Sequence, residues 1–547
     1  METQKQYNIL KSKAYLYLTE FFSGMAIMAV ELGASRLLAP YFSSSQIVWT
    51  IIIATIMIAM AAGNVYGGRS ADKRPDPDIL YRRLLIAAVW IAAIPLLGKY
   101  MILLISGALI ITISHNLLVI AAFAACMIIF VFPCFLLGTV TPSLVKYTVG
   151  SLEESGTTVG MLGAFNTIGS IIGTFLPTFV TIPAVGTAIT FLIFSGILLI
   201  LALIYFISCR RRKLACIVCS IAFCICAVFG NASHFAFWES DLTYEGESIY
   251  NYLQVRETDQ QVILSTNVLF GVQSLLEKQD QLTGMYYDYA MAAPVMAAAN
   301  QPLQDKEPLK VLVLGMGSGT YDHQCRAYFD NLDIEGVEID EKITDLAHEY
   351  FQLPRDAKVT TYDGRAYLMA TDQKYDVIMV DAYQDITIPF QMSSKEFFSE
   401  TREHLTENGV MVVNMNLRSD AEDGINAWLS DTIASVYPYV QTVDVKNNTN
   451  RILFASMQRL EQASYRQALE EIATADPVKR ARLRAFLGQI PGQLTAYEGQ
   501  GHILTDDRAP VEVLSMRAID QVIAEELAAY KEMYREEGLQ GVLEDVL

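Results

Sequence analysis

Lys310-Val311-Leu312-Val313-Leu314-Gly315-Met316-Gly317-Ser318-Gly319 is the stretch on which the fold of this chain turns. A short apolar strand runs into Gly315, Gly317 and Gly319, and a helical pattern follows from Thr320. Glycines there let the backbone approach a ligand closely, with the helix N-terminus facing it. Alone the pattern is a weak signal, and three further elements in register give it weight. About twenty residues on, Val337-Glu338-Ile339-Asp340 ends a second strand with an acid that can accept both hydroxyls of a ribose. Tyr362-Asp363-Gly364 follows a third strand, where a carboxylate can take the exocyclic amine of an adenine. Tyr375 to Val380 is a buried strand that delivers Asp381 at its carboxyl edge, where ligands of open α/β sheets bind.

Working outward, strand patterns at 310–314, 334–339, 358–362, 375–381, 409–415 and 451–456 alternate with helical ones. That order predicts a doubly wound, Rossmann-like α/β domain of the methyltransferase type over 301–547. The tail beyond Gln458 reads as helical and charged, interrupted by a Pro/Gly-rich loop at 488–510. Upstream, the alternating segments 249–257, 260–265 and 268–276 predict a small antiparallel β-domain within 231–300.

Residues 1–230 are of another kind. Apolar runs at 14–35, 47–67, 84–106, 117–142, 160–182, 187–208 and 214–230 match a hydrocarbon core of roughly 30 Å, so a helical membrane domain of about seven spans is expected. Lys5, Lys11 and Lys13, then Arg69 to Arg83, then Lys146, then Arg210 to Lys213 mark the cytoplasmic side. Seven crossings would put the C-terminal half outside the cell, away from any adenosyl ligand. A cytoplasmic α/β domain on an inner-membrane anchor is therefore expected, with 214–230 not crossing or one span miscounted. Glu31, Arg36, Asn64 and Asn166 stand out as polar residues inside these runs.

Charge follows the same division. Of 40 Lys/Arg and 59 Asp/Glu, residues 231–547 hold 25 and 51, a net −26. Such a field repels nucleic-acid phosphates and suits a cationic ligand. Seven of the eight cysteines lie in or beside apolar segments, so no disulfide framework serves the soluble half. Cys216/Cys219 and Cys224/Cys226 lack His or carboxylate companions, and no metal is expected. Cys325, alone in the soluble half, offers a thiol probe of sidedness.

Over 245–415 the chain resembles the spermidine synthase family, and more closely its membrane-fused branch. Glu247 to Asn251 is similar to the family's first strand, Gly271-Val272-Gln273-Ser274 to its substrate hairpin, and Tyr286-Tyr287-Asp288 through Pro294 to its Tyr-x-Glu segment. Leu504 to Pro510, Glu31 to Pro40 and Trp49 resemble the fused branch. The resemblance implies decarboxylated S-adenosylmethionine as donor and a putrescine-like primary amine as acceptor. Gln273, Gly315, Gly317, Gly319, Glu338, Asp363 and Gly364 would hold the adenosyl part. Asp381 with Tyr286 would carry catalysis, and Asp288, Tyr383 and Asp385 would bind the amine. Soluble relatives associate through their β-domains, which implies a homodimer.

This sequence departs from the family pattern at three places. Ser318 stands where soluble synthases carry an acid, Ala292 replaces a frequent His, and Asp381-Ala382-Tyr383-Gln384-Asp385 is one residue longer than the usual Asp-x-x-Asp. Ser318 supports a competing reading, a methyltransferase using intact S-adenosylmethionine. A third reading is a polyamine transporter or sensor whose α/β domain only binds ligand.

Overall fold

The computed structural model describes residues 8–42, 44–112, 116–148, 155–231, 234–268, 272–279, 281–300, 307–382, 388–416, 418–499 and 501–525, with residues 528 and 532. The chain forms two compact units. The first is Met1–Ser240 with Glu245–Tyr252 and Asn267–Leu269, and the second takes the rest.

The first unit is helical: α1 (Lys13–Phe42), α2 (Gln46–Lys73), α3 (Pro77–Thr112), α4 (Leu117–Ile129), α5 (Val131–Gly138), α6 (Val140–Thr148), α7 (Ser155–Leu176), α8 (Ile182–Ser208) and α9 (Lys213–Asn231). Five helices among the described residues are long and apolar enough to cross a membrane, and six if the pair 117–129 and 131–148, bent by 47°, counts as one. That count takes Ser155–Ser208, a 54-residue helical run that the sequence pattern divides into 160–182 and 187–208, as one helix. Its backbone keeps helical character through a π turn at Pro177–Thr181, with non-helical angles only at Gly186 (φ 80°, ψ 170°). At 1.5 Å per residue such a run measures about 81 Å, well over the roughly 30 Å of a hydrocarbon core, so Gly186 is where it can fold back.

Close packing in this unit depends on small residues. A Cβ on Gly169 of α7 would lie 2.0 Å from the Phe21 carbonyl oxygen of α1, so only glycine lets these backbones meet. At one end of the bundle the buried Asp78 accepts from the Tyr205 hydroxyl at 2.7 Å and from Arg211 Nη1 at 3.1 Å. Arg36 donates from Nη1 to the Ser248 carbonyl at 3.1 Å and from Nη2 to that of Ile249, which gives it a structural task.

Next along the chain comes an antiparallel sheet in the order β1 (Leu242–Glu247), β2 (Tyr252–Glu257), β3 (Gln261–Ser265), β4 (Ser274–Glu277), of which Leu242–Tyr244, Leu253–Ser265 and Ser274–Glu277 belong to the second unit. Leu253, Val255, Val262, Leu264 and Leu276 turn one face of it onto Ile343, Leu346 and Phe351. Alternation along short strands gives that one-sided burial. Two helices follow, α10 (Tyr286–Ala290) and α11 (Ala292–Asn300). They belong to the core of the larger sheet, since Met291, Val295 and Met296 pack with Val311, Val377 and Val412.

That sheet is built from β5 (Leu309–Leu314), α12 (Thr320–Tyr328), β6 (Leu332–Glu338), α13 (Glu341–Tyr350), β7 (Lys358–Thr361), α14 (Gly364–Ala370), β8 (Tyr375–Val380), α15 (Lys395–His404), β9 (Leu405–Met415), α16 (Ile425–Ala434), β10 (Tyr439–Asp444) and β11 (Arg451–Ser456). Then follow α17 (Gln462–Ile472), α18 (Pro477–Leu487) and α19 (Ile490–Gln493), and β12 (Thr495–Ala496) completes the sheet at the edge of β10. The strand order is β12-β10-β11-β9-β8-β5-β6-β7. Strands β5 to β9 pair in parallel, and β10 and β11 are antiparallel additions. Each predicted strand is present, and β10 and β12 are additional. The order reverses between β5 and β8, which opens a crevice at their carboxyl ends.

Candidate active site

The crevice is lined first by the glycine loop. Gly315, Gly317 and Gly319 have φ of 83°, 57° and 83°, in the left-handed region that glycine occupies without strain. At Gly315 space also decides: a Cβ would lie 2.6 Å from the Ala382 Cα and 2.7 Å from the Asp381 carbonyl oxygen. The loop therefore presses directly on the chain that carries Asp381. Ser274 of β4 accepts from the Ser318 N–H at 3.1 Å, and Thr320 Oγ1 accepts from the Leu275 N–H at 3.1 Å, tying the small sheet to the loop. The Ser318 hydroxyl is buried without a hydrogen-bond partner.

Glu338 ends β6 beneath this loop. Its Oε2 accepts from the Gly317 N–H at 2.8 Å and its Oε1 from the Asp340 N–H at 3.0 Å. Burial raises its pKa, and those backbone N–H groups pull it partly back. Asp363 accepts from the Ala366 N–H at 2.8 Å and so caps α14, with Gly364 as the first helical residue. A Cβ on Gly364 would meet Met392 Cε at 3.4 Å, an ordinary contact, so nothing steric demands glycine there.

Asp381 follows β8 and is only half-buried. Its N–H donates to the Leu314 carbonyl at 2.9 Å, which locks it beside the glycine loop. Oδ2 accepts from the Tyr286 hydroxyl at 2.7 Å and Oδ1 from Asn414 Nδ2 at 2.9 Å. Each oxygen keeps acceptor capacity for a further donor. Burial pushes the Asp381 pKa up to about 7, hydrogen bonds from Asn414 and Tyr286 hold it down, and the Glu338 charge adds to the rise. Tyr286 goes well above its ordinary value, through burial first and the Asp381 charge second, so it remains a phenol able to donate. Its neighbour Tyr287 lies with its ring tilted by 33° at 3.9 Å between centroids and donates to the Gln273 carbonyl at 2.7 Å. Gln273 also donates its N–H to Leu264 at 2.9 Å, so its backbone is fixed from both sides.

The structure thus brings together the glycine loop, Glu338, Gln273, Tyr286 and Asp381. It gives Asp288 a different task from the expected amine binding. That carboxylate accepts from Thr283 N–H at 3.2 Å, Thr283 Oγ1 at 3.0 Å and Gly284 N–H at 2.7 Å, and it is fully buried. It closes its own loop. Tyr383 and Asp385 lie outside the described residues. Cys325 has no exposed surface and cannot serve as a thiol probe. Asp376 accepts from the Lys310 N–H at 2.9 Å and Thr406 Oγ1 at 3.0 Å, a staple between neighbouring strands.

Asn414 and Asn450 were missed by sequence reasoning. Asn450 Nδ2 donates to Asn414 Oδ1 at 2.7 Å, which aims the Asn414 amide N–H at Asp381. The available signal was a buried amide at the end of Val412-Val413-Asn414. The 504–510 segment acts at the margin of the unit: Asp506 takes Arg365 at 2.7 and 2.9 Å and Ser394 Oγ at 2.6 Å, fastening α14 and α15.

The family model described as spermine/spermidine synthase domain matches residues 295–458. A "probable polyamine aminopropyl transferase" of Bifidobacterium longum (strain NCC 2705) is 51% identical over 357 residues, 63% of this chain and 78% of that protein. A "polyamine aminopropyltransferase" of Vibrio vulnificus (strain CMCP6) is 26% identical over 296 residues, 52% of this chain and 94% of that one. Among solved structures, a spermidine synthase in complex with the transition state analogue AdoDATO is similar over 46% of this chain and 88% of its own, with 20% identity and a TM-score of 0.35.

Proposed function

This chain belongs to the polyamine aminopropyltransferase family, and on that premise we propose a membrane-held enzyme that transfers an aminopropyl group to a putrescine-like amine at Asp381. The family's co-substrate is decarboxylated S-adenosylmethionine, which decides against the intact methyl donor. The residues present fit it: a glycine loop open to close approach, Glu338 and Asp363 as acids at two strand ends, and a buried Ser318 hydroxyl still lacking a partner. Glu338 would take the ribose hydroxyls, Asp363 the adenine amine, and Gln273 the rim of the site.

When bound, the donor supplies a sulfonium leaving group, so the C–S bond can break with its electron pair passing to sulfur. The protein has then to supply an uncharged nitrogen at the right place. Asp381 holds the acceptor's ammonium and takes one proton from it onto a carboxylate oxygen. The freed lone pair forms the new C–N bond to the propyl carbon. Tyr286 and Asn414 keep the carboxylate aimed while it changes charge. Positioned proton transfer of this kind is worth typically ~10²- to 10⁴-fold.

The observation that carries the reading is the clasp of Asp381 between Tyr286 and Asn414 against the glycine loop. Five long apolar helices support membrane attachment, and the acidic α/β half suits a cationic acceptor. The α/β unit is assigned to the cytoplasm, where the donor is made. The test is mass spectrometry of the purified full chain with decarboxylated donor and a panel of diamines. Putrescine should gain one aminopropyl unit. No gain on any diamine, or methyl transfer from the intact donor instead, would sink the proposal.

A further inference from the structure

Four polar residues of the apolar runs drew notice in the sequence, and one of them, Asn166, leads to a fifth. Asn166 Nδ2 of α7 donates to Glu20 Oε1 of α1 at 2.8 Å, and Thr141 Oγ1 of α6 donates to the same oxygen at 2.5 Å. Glu20 has no exposed surface, and its other oxygen, Oε2, is buried without any hydrogen-bond partner. Among the described residues no Lys, Arg or His lies within ion-pair distance of it. One turn along α1, a Cβ on Gly24 would lie 2.5 Å from the Asn166 carbonyl, so the helices are pressed together over the acid and leave little room.

We propose that Glu20, held by Thr141 and Asn166, is a proton-binding site of the helical unit. The inference rests on that unit lying in a bilayer. An ionisable residue inside a span is a functional candidate by default, and an ionised carboxylate there needs a counter-charge. Glu20 has two neutral donors on one oxygen and a bare second oxygen, and a proton on Oε2 is the smallest cation that neutralises it. With that proton in place, Oε1 becomes the carbonyl oxygen and still accepts both bonds. Metal ions and amines need several acceptors around them, whereas the groups at hand are mostly donors. Beside Thr19, the next residue along α1, lies a group of phenols: Tyr81 of α3 is 3.3 Å from Thr19 Oγ1, with Tyr15 of α1 and Tyr205 of α8 stacked on it, and beyond Tyr205 the Asp78 carboxylate is paired with Arg211. None of the phenols carries charge near neutrality. Lys146 of α6 is spent on Asp72 of α2 at 3.0 Å, and α7 holds no titratable side chain. The site also lies on a broken element, since 131–148 meets 117–129 at 47°. Interrupted helices are where membrane carriers place their binding groups.

A protonated carboxyl in apolar surroundings reacts with the lipid-soluble reagent dicyclohexylcarbodiimide. The acid's proton passes to a carbodiimide nitrogen, the carboxyl oxygen bonds to the central carbon, and acyl shift to nitrogen leaves an adduct retaining the whole reagent. The full chain in liposomes should show this adduct on the peptide containing Glu20, falling as pH rises. Glu20→Gln should abolish it and Glu31→Gln should leave it. Absence of the adduct from the wild-type protein at every pH overturns the proposal without relying on any variant. Protection by sodium or putrescine at fixed pH overturns it too, because the site would then take another cation. Release of the protein from membranes by alkaline carbonate would be a separate failure, that of the membrane reading itself.

Discussion

The two units each bury a carboxyl between a hydroxyl and an amide, and they do so to opposite ends. In the α/β unit Asp381 receives Tyr286 on one oxygen and Asn414 on the other, sits half-buried at a strand end, and keeps acceptor capacity toward the crevice. In the helical unit Glu20 receives Thr141 and Asn166 on the same oxygen, is fully enclosed, and leaves the other oxygen bare. One donor per oxygen steadies a carboxylate that must meet a cation from outside. Two donors on one oxygen favour an acid whose proton stays on the other. In the proposed roles, the acid that works on a substrate and the one that stores a proton differ both in how donors are shared between their oxygens and in how far they are enclosed.

The contrast is broken most directly at Asp381. Asp381→Asn keeps shape and most hydrogen bonding but removes charge and basicity, so turnover should fall by at least ~10²-fold while donor binding stays near wild type. Turnover near the wild-type rate, or joint loss of stability and donor binding, would mean that Asp381 only shapes the loop after β8.

Next in size is the donor side. Glu338→Gln replaces an acceptor of two backbone N–H groups by an amide that can accept on one atom only, and it removes a charge-assisted acceptor for ribose hydroxyls. Donor affinity measured by calorimetry should weaken by roughly 1.5–3 kcal/mol. An unchanged affinity would remove Glu338 from the site.

A smaller effect sharpens the account of how donors tune the acid. Burial lifts Asp381 to about 7, so its base form, and with it kcat/KM, should increase as pH rises through that region. Tyr286→Phe and Asn414→Leu each delete a bond that stabilises the ionised form. The rising limb should therefore move to higher pH in both, and Asp381→Asn should lose it. A limb that stays in place in both variants assigns the titration to another group.

The smallest expected signal is a null one for sidedness. Cys325 is enclosed, so Val478→Cys, at a site 68% exposed on α18, supplies the thiol instead. An impermeant maleimide should leave it unlabelled in intact cells and label it after permeabilisation. Labelling in intact cells would place the α/β unit outside.

Local pattern alone made much of this protein legible. Apolar runs long enough for a bilayer separate the first 230 residues from the remainder, because span length is a property of consecutive residues. The strand-glycine-helix stretch at 310–319, the acids at the ends of strands and Asp381 were readable for the same reason: a doubly wound sheet puts ligand groups at strand ends. Whatever depends on residues distant in the chain had to await the tertiary structure. Asp288 looked like part of the amine pocket, yet the turn at 283–284 claims both its oxygens. Asn414 became a partner of Asp381 only because β9 lies beside β8, and Asn450 only because β11 returns antiparallel along β9. Glu20 drew no notice in a run of apolar residues until helices more than a hundred residues away supplied Thr141 and Asn166. A side chain's chemical type is written in the sequence, but which of its lone pairs are already taken is decided by the elements that fold against it.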